Sequence, residues 1–258
     1  MNQENLYYDM LFKRKSFHVF RDIGTISEKE LTDIECVYET LQPLHKEIQT
    51  AIRIIPARET TCKRGQEYCI LMYSEKKEGY RQNIGYIGEQ LDLYLASCDI
   101  GALWFGIGKV EEPQYRGMDF VIMIAIAKMP REKFRKDMFK SKRKPLEEVW
   151  LLTDHTDIGN VARFAPSACN TQPWLVESEQ DPEGKQTLVV YRYKKPGKRG
   201  IMPADKVAYY NRIDIGIFLL FLEVCFKQQK INYERALYED EQDDEAEKTL
   251  VARYCLNP

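Results

Sequence analysis

The sequence predicts an α+β chain whose two halves share an order of elements, and three observations carry that prediction. Short runs rich in β-branched and aromatic residues alternate with two long apolar stretches of helical period. Those stretches open on related nonapeptides, NIGYIGEQL at Asn83 and NRIDIGIFL at Asn211, which both fit N-x-x-x-I-G-x-x-L and lie 128 residues apart. Strands flank both helices in the same order, so the likeness extends past the four matched positions. The basic segment KFRKDMFKSKRKP, Lys133 to Pro145, separates an N-terminal half (1–145) from a C-terminal half (146–258), expected to form one compact unit.

Residues 27 to 42 read as a helix, with Ser27 as its N-cap and Glu30 at the capping-box position. AIRIIPA and YCILMYS (Tyr68 to Ser74) read as strands. From Asn83 to Asp99 the apolar positions Ile84, Ile87, Leu91, Tyr94 and Leu95 recur at helical spacing, and Gly101 is expected to stop the helix. DFVIMIAIA, Asp119 to Ala127, suits a strand buried on both faces. TDHTDIGNVARF opens a helix with Thr and Asp as caps, PWLVES and TLVVYRYKK are strands, and Asn211 to Gln229 is a long apolar helix. NYERALYE and TLVARYCL follow as strands joined by the acidic DEQDDEAEK, read as a solvated hairpin loop.

Composition narrows the function. Lys plus Arg (38) nearly balance Asp plus Glu (40), so no overall field favours nucleic acid or an anionic membrane, and a small-molecule or protein partner is expected. No apolar run is long enough to cross a bilayer, and the N-terminus lacks a secretory h-region, which predicts a cytoplasmic location. The seven cysteines are scattered without a C-x-x-C pair and read as small core residues of a reducing compartment. Three widely separated histidines predict no metal site; His155, in TDHTD, stands where a helix starts. A G-x-S-x-G elbow, a P-loop and a complete G-x-G-x-x-G are all missing, which argues against hydrolase, kinase and Rossmann chemistry.

Three polar clusters remain. RKSFHVFRD gathers Arg14, Lys15, Ser16, His18 and Arg21 between anchoring apolar residues, a donor set suited to a phosphate. KSKRKP adds Lys140, Lys142, Arg143 and Lys144, which read equally as solvated surface. In APSACNTQPW (Ala165 to Trp174), Pro166 suits the start of a helical turn, Ser167 bonds a backbone group, Asn170 closes the turn, and Pro173 pushes Gln172 into an extended conformation. Such a rigid corner suits reading the edge of a planar polar heterocycle. The competing reading has Asn170 and Gln172 satisfying buried backbone and Trp174 filling core.

The chain resembles the nitroreductase family of flavoproteins. Its first signature, approximately R-R-S-x-R-x-F, stands here as RKSFHVF, and its second, A-P-S-x-x-N-x-Q-P-W, as APSACNTQPW. LYLASCDIGALWFGIG resembles the family's long helix leading into a turn marked by Gly101, Trp104 and Gly106, and RKPLEE resembles its R-x-P segment. One departure is that the second signature lies in the second half, after the R-x-P. Typical members resemble homodimers with FMN at the subunit interface, so the resemblance implies a nitroreductase-like α+β fold with mixed or antiparallel sheets, fused into a single-chain pseudo-dimer with one flavin site and no need of a second chain.

By motif position, the resemblance implies that Arg14, Lys15, Ser16 and Arg143, helped by Lys142, hold the FMN phosphate and ribityl end. Pro166, Ser167 and Asn170 would line the isoalloxazine, and the backbone of Phe105 and Gly106 would face N5 and O4. His18 stands where relatives usually carry Arg or Lys near N1 and O2. The implied activity is two-electron, ping-pong transfer from NADH or NADPH to a nitroaromatic, a quinone or a similar acceptor, with no protein nucleophile. The alternatives are a non-catalytic flavin-binding or sensing module and a relative that has lost FMN.

Overall fold

A computed structural model describes residues 3–180, 186–194, 200–238, 244 and 246–257. The first half contributes helices α1 (Gln3–Lys13), α2 (Glu28–Tyr38) and α3 (Tyr80–Ser97) and strands β1 (Thr50–Pro56), β2 (Tyr68–Ser74), β3 (Ile100–Phe105), β4 (Gln114–Tyr115) and β5 (Met118–Lys128). The second contributes α4 (Thr156–Ala162), β6 (Trp174–Gln180), β7 (Gln186–Tyr193), α5 (Val207–Gln228), β8 (Asn232–Leu237) and β9 (Lys248–Asn257). Helix α1 and strand β4 were not anticipated from periodicity.

The fold is mixed α+β with two antiparallel sheets. The first runs β1-β2-β5-β3, with β4 paired to β5; the second runs β6-β7-β9-β8. In each, the last strand in sequence sits between the second and third, and a long helix joins the second to the third. A bulge interrupts the pairing of the second strand with the last in both, at Met72/Tyr73 and at Val190/Tyr191.

Helices α3 and α5 are buried on nearly every face because they pack on each other as well as on the sheets. Their crossing depends on missing side chains. A Cβ at Gly85 would overlap the Ile213 carbonyl oxygen, and one at Gly216 would overlap the Gln82 carbonyl oxygen, so only glycine permits the approach. One apolar cluster consequently runs from Ile34 through α3 and α5 to Trp174 and Tyr254. A second, smaller cluster covers the outer face of the first sheet, where Phe17 and Phe20 pack with Leu71 and Met123.

Several expectations need correcting. The Ser27–Glu30 capping box is complete, but the helix it opens ends at Tyr38. Gly101 lies inside β3; the chain turns at Asp99, in the left-handed region at φ 56°, and Gly101 is required because a Cβ there would press on Met129 and Phe17. Helix α4 starts after His155, which is left-handed at φ 51° and makes no side-chain cap. Gln172 is left-handed (φ 48°) rather than extended, for reasons that belong to the corner described below. Most of the acidic run before β9 lies outside the described residues.

Candidate active site

A cavity of about 240 Å³ opens where the two halves meet. Its first wall is the N-terminal segment and the end of β3. Ser16 bridges Ala102 in parallel register, and the Phe17 N–H donates to the Ala102 carbonyl at 3.0 Å, which sets Ser16 and His18 beside Phe105 and Gly106. The opposite wall is the corner, Pro166 to Cys169, and the first turns of α5 add Tyr210, Ile213, Asp214 and Ile217. The Tyr210 hydroxyl donates to the Gly106 carbonyl at 2.6 Å, and a Cβ at Gly106 would meet the Tyr210 ring at 2.5 Å. This contact ties the exit of β3 to α5.

The corner is a strained piece of chain held from all sides. Cys169, Asn170 and Gln172 are left-handed (φ 50°, 56° and 48°), a conformation costing on the order of 1–3 kcal/mol per residue unless its surroundings over-determine it. They do so here. The Gln172 N–H donates to Ser167 Oγ at 3.0 Å, while Gln172 Oε1 accepts from the Lys144 N–H at 2.8 Å and its amide nitrogen donates to the Asn170 carbonyl at 3.1 Å. Those bonds, made by a buried side chain, override the extended preference before Pro173. Arg143 donates to Asn170 Oδ1 at 2.8 Å and to the Phe164 carbonyl at 3.1 Å; Asn170 donates to the Lys142 carbonyl at 3.2 Å; Lys144 Nζ donates to the Gln172 carbonyl at 2.9 Å. Beyond the corner, Trp174 is fully buried and stacked on Phe218 with ring centroids 4.8 Å apart.

The structure brings Ser16, His18, Phe105, Gly106, Pro166 and Ser167 into the lining of one cavity. Lys142, Arg143 and Asn170 line an adjoining depression of about 350 Å³, which shares Cys169 with the cavity. Arg14 reaches neither. It is buried, with its guanidinium 2.8 Å from Asp92 and 3.4 Å from Glu89. Burial would lower its pKa, and those two carboxyls raise it instead. Burial also lifts Glu89 to about 8 despite Arg14. In the basic segment, Lys140 is exposed beside Asp137, and Arg143 and Lys144 fasten the corner.

Lys15, Arg135 and Arg143 make no ion pair with a carboxylate among the described residues, although Asp92 and Glu89 act on Arg135 from further away. Burial and then the neighbouring Arg135 lower Lys15 and push Arg143 down to about 10. Arg135 is itself pushed to about 10 by burial and by Arg14. Three half-buried cations, two of them depressed by the third, make a site that favours an anion. Arg135 was overlooked in the sequence because the run of seven basic residues around it gives no sign of which one folds inward.

Asp214 was also overlooked, inside an apolar helix pattern. It is 3% exposed; its Oδ1 accepts the Ala168 N–H at 2.9 Å, and its Oδ2 has no protein partner although the residue lines the cavity. Burial pushes its carboxyl well above the usual range, the Ala168 bond opposing only in part. Among the described residues there is no cluster of three or more His, Cys, Asp or Glu able to hold a metal ion, and no helix is long and apolar enough to cross a membrane.

Residues 6–225 match the model of a family described as "Putative TM nitroreductase". The chain belongs to the nitroreductase family. Among solved structures, the chain is similar to a "putative nitroreductase" from Thermotoga maritima, with 18% identity over 98% of this chain and 94% of that one and a TM-score of 0.61, a likeness of fold. It also matches a structure from Desulfovibrio desulfuricans described as a "putative nitroreductase in complex with FMN" (17% identity, 58% of this chain and 96% of that one, TM-score 0.41). A structure from Clostridium acetobutylicum described as a "Putative NADH Oxidase" matches at 13% identity over 55% of this chain and 97% of that one, with a TM-score of 0.42. No curated protein matches the chain.

Proposed function

We propose that this nitroreductase binds one FMN noncovalently in the cavity and carries two electrons, in ping-pong order, from NADH or NADPH to an electron-poor acceptor such as a nitroaromatic or a quinone. The observation that carries this reading is a single cavity with Ser16 and His18 of the first signature on one wall and Pro166 and Ser167 of the second on the other. A cavity of about 240 Å³ is small beside ordinary ligand pockets of ~300–1,000 Å³, and the adjoining depression supplies the further room a phosphorylated ligand needs.

The residues present fit such a ligand. The cluster of Lys15, Arg135 and Arg143, which make no ion pair with a carboxylate among the described residues, matches a phosphate, and the apolar side chains of Leu103, Ile122 and Ile213 match a flat ring. An orphaned polar atom, Asp214 Oδ2, matches a ring that carries its own hydrogen-bonding edge. When bound, FMN supplies the hydride chemistry at its N5 position. Lys15, Ser16, Arg135 and Arg143 then bind the phosphate end, while Arg14 is a positioning residue that fixes the segment through Asp92. Pro166 and Ser167 wall the ring, and the Arg143 and Lys144 bonds stop the corner from relaxing away from it. His18, exposed at the rim, offers a donor to negative charge that develops on the ring.

We read residues 1–145 and 146–258 as the halves of a fused pseudo-dimer, for which one chain suffices. The shared strand order supports this, and so does the helix crossing: Gly85 and Ile213 are one repeat of 128 residues apart and touch each other, as equivalent positions do on a two-fold axis. The test is a visible spectrum of the purified protein followed by anaerobic NADPH. A yellow band that bleaches supports an enzyme. A yellow band that does not bleach with either nicotinamide means a flavin module without turnover, and a colourless protein that takes up no FMN defeats the proposal.

A further inference from the structure

Resting on the flavin reading, we infer that Asp214 is a ligand-positioning residue whose Oδ2 donates a hydrogen bond to an acceptor atom, a carbonyl oxygen or a ring nitrogen, on the edge of the bound heterocycle. The geometry leaves it little else to do. Asp214 sits on the first turns of α5 with only 3% of its surface exposed, between Ile213 and Ile217, which line the same cavity. Its Oδ1 accepts the Ala168 N–H at 2.9 Å, so the carboxyl group is fixed in rotation against the corner. Its Oδ2 meets no protein donor or acceptor. Among the described residues no arginine or lysine forms an ion pair with it, so only the Ala168 N–H offsets the desolvation of the ionised form.

A carboxylic acid solves the problem by splitting its two oxygens. The carbonyl oxygen keeps the Ala168 bond, and the hydroxyl becomes a donor in search of an acceptor. Burial holds the proton in place, as the raised pKa indicates. Among the described residues that hydroxyl has no acceptor, so the partner comes from the ligand. This selects the ligand chemistry, because a ring edge presenting N–H or C–H at this point leaves the acid's hydroxyl without an acceptor. The same group couples ring to corner, since the Ala168 N–H that it holds lies between Ser167 and the strained Cys169.

Asp214→Asn and Asp214→Val separate the possibilities when the apo chain is titrated with FMN and followed by quenching of flavin fluorescence. Asparagine mimics the neutral acid, keeping an acceptor for Ala168 and a donor for the ligand; valine removes both. The expected result is an FMN Kd for Asp214→Asn within a few-fold of wild type and a Kd for Asp214→Val weaker by about 10- to 100-fold. Infrared difference spectra should show a protonated-carboxyl C=O band that shifts when FMN binds and is missing from Asp214→Asn, a readout that does not require the valine variant to fold. An Asp214→Asn affinity as poor as that of valine, or no protonated-carboxyl band in wild type, overturns the inference, as does wild-type affinity in a folded Asp214→Val. Failure of the wild-type chain itself to bind FMN defeats the flavin reading first, and this inference with it.

Discussion

Helix α5 carries two buried acidic side chains with opposite surroundings. Glu223, 4% exposed, accepts hydrogen bonds from the hydroxyls of Tyr86 (2.7 Å), Tyr233 (2.8 Å) and Tyr254 (2.7 Å) and from the Arg235 guanidinium (2.6 Å). Asp214, 3% exposed, has one backbone N–H and an idle oxygen. The first is a completed network that joins α3, α5, β8 and β9. The second is incomplete until something enters the cavity. Burial alone therefore does not separate the two acids of this helix; the number of partners does.

The largest expected effect comes from breaking the completed network. Glu223→Ala leaves a guanidinium and three phenols without their acceptor and should cost about 3–5 kcal/mol in urea unfolding, while the FMN Kd of the protein that remains folded stays near wild type. A comparable loss of FMN affinity would mean that the two ends of α5 are not separate in function. Next in size, Arg143→Ala removes both a cation of the anion site and the clasp on Asn170 and Phe164. It should weaken FMN by about 10- to 100-fold and riboflavin, which lacks the phosphate, by much less. Equal losses for the two ligands would restrict Arg143 to holding the corner.

A smaller effect sharpens the contrast from the Asp214 side. Because burial raises its pKa, the native chain keeps a proton that the unfolded chain loses above its ordinary value of about 3.9, so this group lowers stability as pH rises. Asp214→Asn removes that cost. The variant should be more stable than wild type at pH 7, with the gap closing toward about pH 4 in urea unfolding of the apo proteins. The other ionisable groups lining the cavity, His18, Arg64, Cys169 and Tyr210, are present in both and cancel in the difference. A gap that widens on acidification would contradict a protonated Asp214. The smallest expected effect is on flavin tuning: His18→Ala should lower the midpoint potential and His18→Lys raise it, and unchanged potentials in both would remove His18 from the ring's surroundings.

Much of the fold was legible because its signals are local. The capping box at Ser27 and Glu30, the strand Tyr68–Ser74 and the paired glycine-bearing helices each depend on residues close in sequence. The walls of the cavity were legible through two signatures, though by resemblance rather than by physics. What stayed hidden depends on distant partners. Arg14 is removed from the site by Asp92 and Glu89 of α3, and Gln172 is turned left-handed by Ser167 and Lys144 against the local push of Pro173. Asp214 reads in sequence like any polar break in an apolar helix; only the missing partner of its second oxygen, in a residue that lines the cavity, sets it apart.

Titration of the purified chain with FMN, with its mass in solution measured alongside, tests the central claim most directly. One flavin per chain on a single-chain species, with binding lost on substitution in either wall, is the predicted result. Two flavins per chain, uptake only by an assembly of two chains, or no uptake at all would contradict the account.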